Sequence, residues 1–147
     1  MSEPAAHTAS TNERRRATVL VYSSDARMRE RVRGALGRRP APGLEIELVE
    51  AATGAELIAR CDLGGLDLTI LDGEATPTGG LGLARQIKDE IDDAPPVLVV
   101  VGRRDDAWLA TWSRAEGVVH HPIDALQLTD MVVDLLTRGA DVVMPGD

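Results

Sequence analysis

Two hydrophobic rhythms take turns along this chain, a short unbroken apolar run and a longer amphipathic stretch. Val19, Leu20 and Val21 stand in a row within Ala17 to Tyr22, which predicts a strand covered on both faces. Asp25 then offers an N-cap for a helix that gathers Met28, Val32, Ala35 and Leu36 on one face and leaves Arg27, Arg29, Arg31 and Arg33 elsewhere. Gly37 and the prolines at 40 and 42 end it. Leu44, Ile46 and Leu48 alternate with Glu45, Glu47 and Val49, the pattern of a half-exposed strand suited to a sheet edge. Thr53 with Glu56 three residues on makes a capping box, opening a helix that buries Leu57, Ile58 and Cys61 before Gly64 and Gly65 stop it. Leu66 to Leu71 predicts a strand ending on Asp72, and Leu83, Ala84, Ile87 and Ile91 mark the next helix. Val97 to Val101 is the most hydrophobic strand. A helix over Asp105 to Ala115, a brief strand over Val118 to His120 and a last helix with Leu128, Met131, Val132 and Leu135 inward complete the pattern.

Strands alternating with helices five times imply an α/β fold with a parallel sheet, because each crossover helix must cover the sheet to which the chain returns. Right-handed crossovers and an amphipathic second strand favour a flavodoxin-like, doubly wound (βα)5 arrangement with strand order 2-1-3-4-5. Such sheets carry their sites at the carboxyl ends of the strands, here Ser23 and Ser24, Asp72, Val101 with Gly102, and His121. Residues 1–16 are polar and aperiodic and read as a disordered tail, residues 17–138 as one domain, and residues 139–147 as a flexible tail.

Composition narrows the function. A chain of 147 residues has room for one ordinary domain, and with no Phe, one Tyr and two Trp its core must be aliphatic. The net charge of −8 and the scattered basic residues argue against a nucleic-acid partner, which needs a clustered basic face. Arg14, Arg15 and Arg16 read as a solvated edge of the domain. Cys61 is the sole cysteine, Met1 to Arg16 lacks the apolar run of a signal peptide, and Val97 to Val101 falls far short of the ~20 residues a membrane helix requires. A cytoplasmic protein without membrane insertion is expected.

Leu68-Thr-Ile-Leu-Asp72, followed by Pro77, Gly80, Leu81, Leu83 and Arg85, resembles the receiver domain of bacterial response regulators, and the resemblance extends over roughly Thr18 to Leu136. It implies that Asp72 holds the place of the phosphoaccepting aspartate and that a Mg2+ ion is normally held by two acidic residues after the first strand. Those positions read Ser23 and Ser24 here. The family's Ser or Thr at the end of the fourth strand corresponds to Val101, its aromatic switch residue to Val118, and its lysine before proline to His121, which precedes Pro122 in a bond the resemblance implies is cis. These replacements all remove charge, metal ligands or hydrogen-bonding groups from one pocket. The resemblance therefore points to an atypical pseudo-receiver in which Mg2+ binding is weak or absent, with Asp25 and Glu74 as the remaining weak metal candidates.

Two readings of Asp72 stand side by side: a slowly working phosphoacceptor, or a carboxylate kept to bond the backbone amides of nearby loops. Asp25 serves more simply as a helix cap than as a metal ligand. His120 and His121 are poor joint ligands because neighbours on a strand face opposite ways, although a protonated His121 would partly replace the lysine. Trp108 and Trp112, four apart on one helix face, either pack into the core, as at least one of them is expected to do, or form part of a partner surface. The expected function is thus a protein-binding module without enzyme activity, its partner another protein or a second copy in a homodimer. A slowly phosphorylated regulator is the alternative. A flavodoxin-like ligand binder ranks third, since Ser23-Ser-Asp-Ala-Arg27 lacks the features of a flavin phosphate loop.

Overall fold

The computed structural model describes residues 15–75, 79–102 and 107–143, with backbone only for 107, 109, 110 and 139–143. Pro77, Asp105 and the tail through residue 14 lie outside the described residues. The elements are β1 (Arg15–Tyr22), α1 (Ala26–Leu36), β2 (Leu44–Ala51), α2 (Gly54–Leu63), β3 (Leu68–Asp72), α3 (Gly80–Glu90), β4 (Val97–Val101), α4 (Ala107–Trp112), β5 (Gly117–His120) and α5 (Ala125–Val143). All strand pairs are parallel, in the order β2-β1-β3-β4-β5. The expected α/β, flavodoxin-like topology is the one found.

The apolar runs explain why β3 and β4 are central: every residue in both is buried, as a strand covered on two faces requires. Edge strand β5 alternates buried and half-buried residues. On one face, Val19, Val21, Ile70, Leu98, Val100 and Val119 pack against Met28, Val32 and Leu36 of α1 and Leu128, Val132, Leu135 and Leu136 of α5. On the other, Leu20, Tyr22, Leu71, Val97, Val99 and Val101 meet Leu57 and Cys61 of α2 and Leu83, Ala84 and Ile87 of α3. Ile58, Ile91 and Met131 are only partly buried against these layers.

Several boundaries differ from the sequence expectation. β1 begins at Arg15 because Arg15 N–H donates to Gly43 O at 2.6 Å and its guanidinium donates to Leu136 O at 2.9 Å. α4 spans six residues and ends at Trp112, short of Ala115, as Arg114 adopts φ 68°. Beyond that turn Glu116 accepts from Val97 N–H at 2.7 Å and pairs with Lys88 at 2.5 Å, long-range contacts that set where the helix must stop. α5 runs to Val143, through the start of the stretch expected to be a flexible tail. The expectation of a core tryptophan is also corrected: Trp108 is 66% and Trp112 47% exposed. So short a helix covers little of the sheet, and the Arg85 guanidinium lies over the Trp112 ring at 5.1 Å from its centre.

Candidate functional site

Register brings the central pair together. Tyr22 of β1 stands beside Leu71 of β3, so the next step along both strands places Ser23 next to Asp72. Ser23 is fully buried, and its hydroxyl donates to Asp72 Oδ2 at 2.7 Å while accepting from Asp25 N–H at 3.0 Å. The other carboxylate oxygen, Oδ1, accepts from Glu74 N–H at 2.9 Å. Asp72 is 5% exposed. A buried carboxylate requires such donors, since an unpaired charge away from water is costly. The chain can enter α3 directly above this strand end because residue 80 is glycine: a methyl group there would sit 2.7 Å from Asp72 O.

His121 follows β5, its N–H donating to Val101 O at 2.8 Å, and its peptide bond to Pro122 is cis, as the resemblance implied. Its Nε2 lies 3.7 Å from Asp72 Oδ1. The carboxylate thus sits between a serine and a histidine, an order that leaves no base to activate the serine through the histidine. Nearby, burial and the charge of Asp72 raise the Tyr22 hydroxyl above its ordinary pKa.

The other sequence-nominated positions separate from this centre. Ser24 is exposed, so Ser23 and Ser24 do not act as the adjacent pair their positions suggested. Val101 is buried and Val118 partly buried in the core layer against α2 and α3. His120 is separate from His121, and its Nε2 is buried without a hydrogen-bond partner among the described residues. Asp25 caps α1, accepting from Arg27 N–H at 2.9 Å, a bond that holds its carboxyl below the ordinary range.

Two features were not read from the sequence. Arg29 donates to Ser23 O at 2.6 Å and to Glu50 Oε1 at 2.8 Å, fixing the end of β1 from α1, while Arg33 reaches Glu50 Oε2 at 2.6 Å. The two guanidiniums, Arg33 first, keep the Glu50 carboxyl below its usual range. Glu74, meanwhile, folds its carboxylate onto Gly102: a methyl group at Gly102 would lie 2.8 Å from Glu74 Oε2. The arginine spacing on α1 was visible, but its partner was not, because Glu50 reaches it only through the crossover.

This donor set does not fit a Mg2+ ion of the family's kind. Ser23 is neutral and already donates to Asp72, Asp25 is committed to its helix, and no group of three His, Cys, Asp or Glu side chains among the described residues is arranged to hold a metal.

No protein-family model matches the chain. It is 56% identical over 123 residues to a response regulatory protein of Mycobacterium tuberculosis strain H37Rv, described as uncharacterized, covering 83% of this chain and 92% of that protein. The counterpart from strain CDC 1551 matches equally. Among solved structures, the signal receiver domain of a Luxo repressor protein from Vibrio parahaemolyticus superposes with a TM-score of 0.75 at 21% identity, over 88% of this chain and 98% of that one. A response regulator receiver domain protein from Methanospirillum hungatei gives 0.70 at 16% identity, over 86% and 98%. The structural likeness establishes the shared fold, and with more than half of the aligned residues identical to a response regulatory protein over most of both lengths, the chain belongs to the response-regulator receiver family.

Proposed function

We propose that this protein is a pseudo-receiver of two-component signalling that acts in the cytoplasm by binding another protein, without phosphorylation of Asp72. The observation that carries this reading is that, among the described residues, the two oxygens of Asp72 are held by the Ser23 hydroxyl and by Glu74 N–H. Phosphoryl transfer is catalysed almost entirely by positioning and charge neutralisation, and the neutral serines, Val101 and His121 supply little of either. Its signal is delivered by surface contact. Trp108, Trp112 and Leu126, all exposed, present the apolar area that a partner or a second copy of the chain would cover. No helix among the described residues is long and apolar enough to cross a membrane, in keeping with this reading.

The test is intact-mass measurement after incubation with Mg2+ and acetyl phosphate, alongside Asp72→Asn. No mass gain is the expected result. A phosphoryl mass increment present in the wild type and lost in Asp72→Asn overturns the reading in favour of a slow phosphorelay protein. A feature favouring that second reading is His121, whose Nε2 stands 3.7 Å from Asp72 Oδ1, where the family has a lysine.

A further inference from the structure

The amino end of the sheet gathers positive charge that the site around Asp72 does not use. There β1 and β2 start side by side, with Arg15 opposite Leu44 and Arg16 opposite Glu45. The chain leading into β2 folds back on this end. Leu44 N–H donates to Ala41 O at 3.1 Å and Ile46 N–H to Arg38 O at 2.7 Å, while Gly43, with φ 74°, makes a turn that any other residue would strain. The result is a recess of about 270 Å³ lined by Arg15, Arg16, Arg39, Gly43, Leu44 and Glu45. Two members of the arginine triplet that read as a solvated edge thus line a concavity. The length of β1, at ~3.3 Å per residue, sets it about 20 Å from the strand ends that carry Ser23 and Asp72.

The carboxylates around the recess do not balance its arginines. Arg15 is fixed by donating to Leu136 O at 2.9 Å and lies 3.9 Å from Asp67, whose Oδ2 accepts from Thr18 N–H at 2.8 Å. Glu45 is shared between Arg16 at 3.9 Å and Arg38 at 3.4 Å. Arg39 is exposed and has no acidic partner among the described residues. Four arginines therefore stand around two carboxylates, a local excess of positive charge in a chain whose net charge is −8. We propose that this recess is a binding site for a small phosphate-bearing anion, held chiefly by Arg16 and Arg39. Guanidiniums offer paired donors that match phosphate oxygens. The volume falls below the ~300–1,000 Å³ of sites for drug-sized ligands, which selects a group the size of phosphate or diphosphate. Bound there, the anion joins the start of β1 to the segment after α1, an input to the protein that does not pass through Asp72.

The experiment titrates inorganic diphosphate into the protein at fixed ionic strength and reads binding by calorimetry, for wild type, Arg16→Gln, Arg39→Gln, Asp72→Asn and Arg27→Gln. Arg27 is the charge control, since its side chain is 88% exposed on α1 and does not line the recess. Arg16 and Arg39 are exposed, so their substitution leaves the fold in place. The expected result is saturable one-to-one binding to wild type, unchanged in Arg27→Gln and Asp72→Asn. Arg16→Gln and Arg39→Gln should each weaken it about tenfold or more, as the loss of a hydrogen bond to a charged group does. Absence of saturable binding to wild type overturns the site, as does equal weakening by Arg27→Gln, which reports only the general field of the protein. Loss of binding in Asp72→Asn puts the anion in the other pocket and overturns it too. Tighter binding of succinate than of diphosphate overturns the assignment to phosphate. None of these outcomes depends on labelling of Asp72, so the pseudo-receiver reading stands or falls on its own test.

Discussion

Ser23 Oγ and Asp72 Oδ2 are joined by a 2.7 Å hydrogen bond across the ends of neighbouring strands, with both residues buried. Ser23→Ala leaves one oxygen of a buried carboxylate without its donor, which costs about 1–3 kcal/mol. The urea midpoint is expected to fall with an unchanged slope. Combined with Asp72→Asn, the two substitutions are expected to be non-additive by about 1 kcal/mol, since the second removes the charge that the first leaves unpaired. Additive losses would mean that the bond contributes nothing of its own.

This pair also marks how far the sequence could be read. The topology was legible because Val19 to Val21 and Val97 to Val101 are unbroken apolar runs, while Met28, Val32 and Leu36 repeat at helical spacing. Asp72 and the positions expected to surround it were nominated through the family resemblance. What stayed hidden depends on register and crossover. Ser23 and Ser24 read alike in the sequence, and only the alignment of Tyr22 with Leu71 turns Ser23 onto the carboxylate. Glu74 reaches Gly102 across 28 positions, and Arg29 reaches Glu50 across 21, distances over which local pattern carries no information. The tryptophans were misjudged for a related reason, since the chain leaves α4 at Trp112 toward Glu116 and its long-range partners.

Gly80 fixes how closely α3 may approach the end of β3. An added methyl group meets Asp72 O at 2.7 Å and Leu71 Cβ at 2.9 Å, and a backbone oxygen cannot step aside as a side chain can. Gly80→Ala is expected to lose about 1–3 kcal/mol by overpacking, although alanine favours helices elsewhere. Gly82→Ala is the control, because a methyl group there meets nothing within 4 Å, and its helix propensity should make it neutral or slightly stabilising. Equal effects of the two substitutions, measured by chemical denaturation, would sink the packing argument.

Glu50 gives the fold a pH dependence of definite sign. Hydrogen bonds from Arg33 and Arg29 lower its folded-state pKa, so the unfolded chain binds the proton more readily. The stabilisation is therefore present above the unfolded carboxyl pKa and is lost as pH falls through the lower, folded value. Its side chain is one-third exposed, which limits the contribution to about 1 kcal/mol or less. Urea midpoints of wild type and Glu50→Gln should differ at pH 7 and converge toward pH 3. A gap that widens in acid would reverse the assignment.

Trp108 and Trp112 separate surface from scaffold within one short helix. Trp108 is the more exposed, whereas Trp112 lies under the Arg85 guanidinium and its carbonyl accepts from Arg85 at 2.8 Å. Arg85 also pairs with Asp89, which holds Arg114 at 2.9 Å, so Trp112 belongs to a network linking α3 to the turn after α4. Trp108→Ala is accordingly expected to change stability by less than about 0.5 kcal/mol, as ordinary surface substitutions do. Trp112→Ala should cost about 1 kcal/mol, through the lost cation–π contact and packing. Fluorescence provides an independent check: iodide should quench the Trp112→Phe variant, which retains Trp108, more strongly than Trp108→Phe. If the protein works through this face, Trp108→Ala should abolish partner binding or self-association while leaving the urea midpoint in place, a combination that damage to the fold cannot imitate.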